Sequence, residues 1–161
     1  MEEKPKKARN FRNYKVWQDA VDYATKVYKV TADMPWFEKK GLCDQLQRAV
    51  VSISSNIAEG AARSSDADFA HFLDFALGSA FEVETQLLIA RNVGYIKNAN
   101  GNANGNANGN DNHNGNDDDK LNDNDDDKLN DNNVVTYEEL LSELQDIERQ
   151  INGLINNIRN S

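Results

Sequence analysis

The chain has 161 residues, the length of a single domain, and a formal charge of −9. The charge is uneven: residues 1–97 carry 14 basic and 13 acidic side chains (net +1), residues 98–133 carry 2 and 9 (net −7), and residues 134–161 carry 2 and 5 (net −3). The acidity is therefore mostly one segment's property and does not exclude a polyanionic partner for the rest, while a single cysteine, Cys43, excludes an intrachain disulfide.

In chain order, Val16, Trp17, Ala20, Val21, Ala24, Val27 and Tyr28 recur at three- and four-residue spacing, which predicts a helix over about 14–33. Pro35 stops it. A second helix is expected from Trp36 or Glu38 to Ala61 or Ala62, with Leu42, Leu46, Ala49, Val50, Ile53 and Ile57 on its apolar stripe. Cys43, beside Leu42, reads as a small core hydrophobe. Ser64 or Ser65 then caps a third helix over about 66–93, with Asp66 and Asp68 placed favourably for its N-terminal dipole and Gly94 placed to end it.

Residues 98–133 differ in kind. Asn98-Ala-Asn-Gly101 is followed by two more copies of the same tetrad, and an eight-residue unit at Asn116–Asp123 repeats at Asn124–Asp131. Fifteen of these 36 residues are Asn, and only Leu121 and Leu129 are large and apolar, so too little surface can be buried to offset ordering entropy. A disordered Asn/Asp-rich loop is the expectation. After it, Tyr137, Leu140, Leu144, Ile147, Ile151, Leu154 and Ile158, widened by Leu141 and Ile155, predict a fourth helix over about 136–159, opened by the capping box Thr136-Tyr-Glu-Glu139.

Four amphipathic helices with no strand signal predict an all-α, up-down-up-down antiparallel four-helix bundle. Residues 1–10 read as a basic flexible N-terminus. Residues 11–161 read as one bundle domain interrupted by the 98–133 insert. The polar start from Met1 to Lys15 lacks the apolar run of a signal peptide, and no stretch is long enough to span a bilayer, so a cytoplasmic protein without membrane association is expected.

Three motifs carry a resemblance. Phe11-Arg-Asn-Tyr-Lys-Val-Trp-Gln-Asp-Ala20, the run from Gly41-Leu to Ser-Ser-Asn-Ile-Ala-Glu-Gly60, and Phe72 to Leu87 through Ala-Leu-Gly-Ser-Ala resemble the four-helix-bundle proteins encoded in intervening sequences of bacterial 23S ribosomal RNA genes. The resemblance covers residues 11–96, with the fourth helix similar in pattern only. It implies a homo-oligomer, a ring-like homopentamer, without enzymatic activity. A distant relation to accessory proteins of diversity-generating retroelements implies RNA or a nucleic-acid enzyme, such as a reverse transcriptase, as a further partner. Ser54 stands where the family has proline, which should straighten the second helix, and the insert is not a family feature.

The candidate nucleic-acid or partner surface is Arg9, Arg12, Lys15, Lys39, Lys40, Arg48 and Arg63. Together with Lys4, Lys6, Lys7 and the nearby Phe11, Tyr14 and Trp17, these residues either clamp phosphates and stack a base or form a solvated terminus beside a core Trp. A second candidate is a polar cluster of Asn56, Glu59 and Glu84. Its alternative role is to fix helix register or a subunit interface, with Arg63 the expected cation for Glu59. Asp117–Asp119 and Asp125–Asp127 lack the Gly and terminal Glu of a calcium loop. His71 and His113 have no ligand companions. No nucleophile–base pair or phosphate loop is present in the spacing, so no cofactor, metal or catalytic residue is expected.

Overall fold

The computed structural model describes residues 9–99 and 134–160. Among these are four helices and no strand: α1 (Lys15–Ala32), α2 (Leu42–Ala61), α3 (Asp66–Asn92) and α4 (Tyr137–Arg159), with 3-10 turns at Phe11–Asn13 and Trp36–Glu38. The expected flexible start up to residue 8 and the expected loop from residue 100 to 133, with its carboxylate clusters and His113, lie outside the described residues.

The helices pack in cyclic order, α1 on α2, α2 on α3, α3 on α4 and α4 on α1, to form an up-down-up-down bundle. Two cross-helix contacts show the antiparallel register of α1 and α4. Lys26 pairs with Glu143, and seven residues earlier on α1, Asp19 accepts from Gln150 Nε2 at 2.9 Å, seven residues later on α4. Leu46, Val50, Ile53 and Ile57 of α2 meet Leu73, Ala76, Ala80, Val83 and Leu87 of α3, Val27 and Ala20 of α1, and Leu140, Leu144, Ile147 and Ile151 of α4 in one continuous core. At the end of α4 the buried stripe passes to Ile155 and leaves Leu154 and Ile158 only partly covered. A 3.6-residue turn drifts against a strict three-four alternation, which moves the stripe sideways over six turns.

Local chemistry sets the helix ends. Thr136 accepts from the Glu139 backbone N–H at 3.3 Å while Glu139 accepts from the Thr136 N–H at 3.0 Å, so the expected capping box forms. Ser65 caps α3 through the Asp68 N–H at 3.0 Å. Gly94, at φ 86°, closes α3 with Tyr95 N–H bonding Ala90 O at 2.8 Å and Gly94 N–H bonding Arg91 O at 3.0 Å, the paired bonds of a Schellman end. Helix two begins later than the sequence pattern suggests, at Leu42. Glu38 lies in a 3-10 turn, and its carboxylate accepts the Leu42 N–H at 3.2 Å, so this side chain caps α2 from outside it. From there α2 runs through Ser54 without interruption.

Candidate partner-binding surface

At the corner where α1 begins and α2 meets α3, Asn10 accepts from the Arg12 N–H at 3.2 Å and starts the first 3-10 turn. The Arg9 N–H bonds Ala61 O at 3.2 Å, so the chain enters against the end of α2. The Arg9 guanidinium pairs with Asp66, donates to Arg63 O at 2.9 Å and lies 4.9 Å over the Phe69 ring. Arg63 lies 4.4 Å over Phe72 and pairs with Glu59 at 2.7 Å, the cation the sequence suggested for that carboxylate. These two arginines are parts of a joint between α2, α3 and the incoming chain. Arg12, 4.6 Å over Phe11, and Lys15, paired with Asp19 at 2.7 Å, are exposed on the same corner.

The remaining basic candidates sit at the opposite end. Lys39 Nζ donates to Thr31 O and Ala32 O, both at 2.9 Å, and so satisfies the terminal carbonyls of α1. Lys40 is exposed beside it, and Arg48 pairs with Asp44 at 2.8 Å one turn earlier on α2. An 18-residue helix is about 27 Å long. Arg9, Arg12, Lys15 and Arg63 therefore form one group and Lys39, Lys40 and Arg48 another, at opposite ends of one chain, not a single patch.

The three polar candidates also part company. Asn56 Nδ2 donates to Ser52 O at 2.8 Å and to Ser52 Oγ at 2.9 Å, and Ser79 Oγ of α3 donates to the same Ser52 Oγ at 2.9 Å. This hydroxyl bridge satisfies polar groups within the α2–α3 seam. Glu59 faces outward to Arg63. Glu84 lies on the other flank of α3, where its charge acts on Glu148 of α4 and on Tyr23 of α1. Tyr23 and Glu148 were not singled out in the sequence because each sits at an ordinary helical position. Burial, assisted by Glu143, Glu148 and Glu84, pushes the Tyr23 hydroxyl far above its usual range.

Apolar side chains complete the surface. Helix α3 leaves Phe75 (49%), Phe81 (50%), Leu88, Ile89 and Val93 exposed. Phe75 and Phe81 are six residues apart, which at 100° per residue separates them by roughly 120° around the helix. Phe69, by contrast, is buried and Phe72 half-buried. At the far end Trp36 is 84% exposed, with its ring 6.3 Å from that of Phe37. The sequence pattern places Trp36 at the start of a helix. It lies instead in the 3-10 turn before α2. Cys43 is buried as expected, its thiol pushed up by burial. Among the described residues no group of three or more His, Cys, Asp or Glu side chains is arranged to hold a metal ion, and no helix is long and apolar enough to cross a membrane.

No curated protein matches the chain. A family model, described as 23S rRNA-intervening sequence protein, matches residues 12–107. The match takes in α1, α2 and α3, continues ten residues into the Asn-rich stretch and stops before α4. With more than half of its length matched, this chain belongs to the 23S rRNA-intervening sequence protein family.

Proposed function

We propose that the protein is a non-enzymatic, homo-oligomeric helical scaffold whose assembled surface binds a protein or RNA partner. The observation that carries this reading is the number of large apolar side chains left exposed along α3: Phe75 and Phe81, half exposed on different flanks, then Leu88 and Ile89, and Val93 at its C-terminal cap. The core of a four-helix bundle needs one stripe per helix, and half-exposed aromatic rings on two flanks beyond that stripe favour cover by a partner. Another copy of the chain is the occupant we favour, in a closed ring that leaves no heterologous face open, with five subunits. The family's description names no reaction. The same reading places the protein in the cytoplasm of a bacterial cell.

Light scattering at micromolar concentration tests it. The expected mass is a multiple of 18.1 kDa, five-fold for the ring. Phe75→Ser with Phe81→Ser is expected to return the assembly towards single chains. A wild-type mass of one chain overturns the reading.

A second reading is a nucleic-acid-binding accessory factor associated with a reverse transcriptase or ribosomal RNA. It is supported by Arg12 and Lys15, exposed together at one corner, which a ring would repeat around its axis with a gain in avidity. Binding to structured RNA should then weaken steeply with salt and fall in Arg12→Ala and Lys15→Ala. Absence of binding at low salt removes it.

A further inference from the structure

Helix periodicity sorts the side chains that border each buried stripe. The stripe of α1 runs through Val16, Ala20, Ala24, Val27 and Thr31. Residues just before a stripe position face α4, as Asp19 shows by accepting from Gln150 and Lys26 by pairing with Glu143. Residues just after one lie about 200° further round and face α2. These are Trp17, Val21, Thr25 and Tyr28. Helix α2, with Leu46, Val50, Ile53 and Ile57 in its stripe, is ordered the same way. Ser52, before Ile53, bonds Ser79 of α3 at 2.9 Å, while Gln47, after Leu46, donates to Thr31 Oγ1 of α1 at 2.7 Å. Val51, Ser54 and Ala58 share the flank of Gln47.

The α1–α2 seam is thus bordered by eight side chains, none of them charged. Charged residues make up 28% of the chain, and the opposite flank of α1 carries Lys15, Asp19 and Lys26, so this border is depleted in charge as the core of an interface is. Tyr28 (46%) and Val51 (40%) stand open on it, with Trp17 and Val21 half-buried beside them. Thr25 Oγ1 donates to Val21 O at 3.0 Å and Ser54 Oγ to Val51 O at 3.2 Å. Covering these two hydroxyls therefore strands no donor.

We propose that the α1–α2 seam is the surface that receives α3 of the next copy of the chain. The inference rests on the homo-oligomeric reading above, which uses the exposed side of α3 and leaves its mate unassigned. A closed ring of identical chains needs two different surfaces that fit each other. On the outward side of α3, Gly78 stands between Phe75 and Phe81, and a Cβ there would meet nothing within 4 Å. Two rings flanking a low crest is a shape that fits the groove between two helices. Between Phe75 and Ile89 the charges are Glu82 and Glu84 alone, and Glu84 lies on the flank towards α4. Glu82 is exposed, and Lys29 of α1, exposed at the rim of the seam, is a counterion for it.

The heights agree as well. From the Ser52–Ser79 and Gln47–Thr31 bonds, the antiparallel helices bring Tyr28, Val51 and Phe81 to within about one turn of one level. Copies related by rotation without a rise, with bundle axes along the ring axis, then meet in register. With the helices in cyclic order, the seam faces out between α1 and α2 while α3 points out through its own corner. The two directions are not opposite, so successive contacts turn in one sense and can close.

A mixing experiment on the full chain tests the assignment. Val51→Glu puts a charge in the middle of the seam at a position already open in the single chain, and Tyr28→Glu is a second variant of the same kind. Each should keep its helicity and lower the mass found by light scattering from that of the wild-type assembly to 18.1 kDa. Phe75→Ser with Phe81→Ser should do the same from the other surface. Mixed in equal amounts, a seam variant and the α3 variant each keep the surface the other lacks, and should form a complex of twice that mass that neither forms alone. Helical Glu variants that both retain the full wild-type mass overturn the proposal and leave the oligomer standing. A mixture that stays at one chain over the concentrations where wild type assembles overturns it too. A wild type of one chain removes the oligomeric reading, and this assignment with it.

Discussion

Gly60, in the last turn of α2, lies so close to Phe72 of α3 that a Cβ at position 60 would stand 2.6 Å from Phe72 Cβ and 2.9 Å from Phe69 Cδ2. Phe72 also carries the Arg63 guanidinium, so the ring cannot swing away without disturbing the corner that holds the incoming chain. Gly60→Ala is therefore expected to destabilise the bundle. Overpacking costs about 1–3 kcal/mol, and the gain in helix propensity returns up to about 1 kcal/mol. Denaturant unfolding that shows Gly60→Ala equal to or more stable than wild type would mean that the two helices cross further apart.

Gly153 gives the opposite result by the same reasoning. It is exposed within α4, and a Cβ there meets nothing within 4 Å. Gly153→Ala should stabilise the protein by about 0.5–1 kcal/mol, since the substitution costs no contact and removes unfolded-state freedom. A loss of stability would show that this face of α4 is covered in the assembled protein.

Leu144 and Ile151 are fully buried at the middle of the α4 stripe. Each replaced by Ala is expected to cost about 2–5 kcal/mol, with the spread set by how far the neighbours relax into the space. Calorimetric midpoints unchanged in both variants would show that α4 contributes little to the cooperative unit.

The two flanks of the Asn/Asp-rich insert are fastened to each other. Tyr137 N–H bonds Lys97 O at 2.9 Å, and Ala99 N–H bonds a Glu138 carboxylate oxygen at 2.8 Å. Replacing residues 100–133 with a few Gly and Ser residues should keep the helicity and the single melting transition. Shortening a loop about ninefold recovers about 2 kcal/mol of closure entropy at most. Circular dichroism showing lost helix after the replacement would give the insert a structural role.

The chemistry that acts over one or two turns was legible in the sequence: the Thr136 capping box, the Gly94 stop, the Glu59–Arg63 pair and the four apolar stripes. Each depends on residues three to five positions apart, where helix geometry alone fixes who meets whom. The divergence of Phe75 and Phe81 follows from the same periodicity. What depends on a second helix could be decided only by the tertiary structure. Lys39 reads as a free surface cation, yet its amine closes the end of α1, because the turn after Pro35 folds back on that helix. Glu38 reads as a helix residue, yet it acts from outside as the cap of α2. The basic residues form a plausible set along the chain, but α1 carries them to opposite ends of the bundle. Asn56, Glu59 and Glu84 sit on different flanks once α2 and α3 pack. Tyr23 and Glu148 are 125 positions apart, and the influence of one on the other arises only when α4 packs into the bundle, which leaves no trace in local spacing.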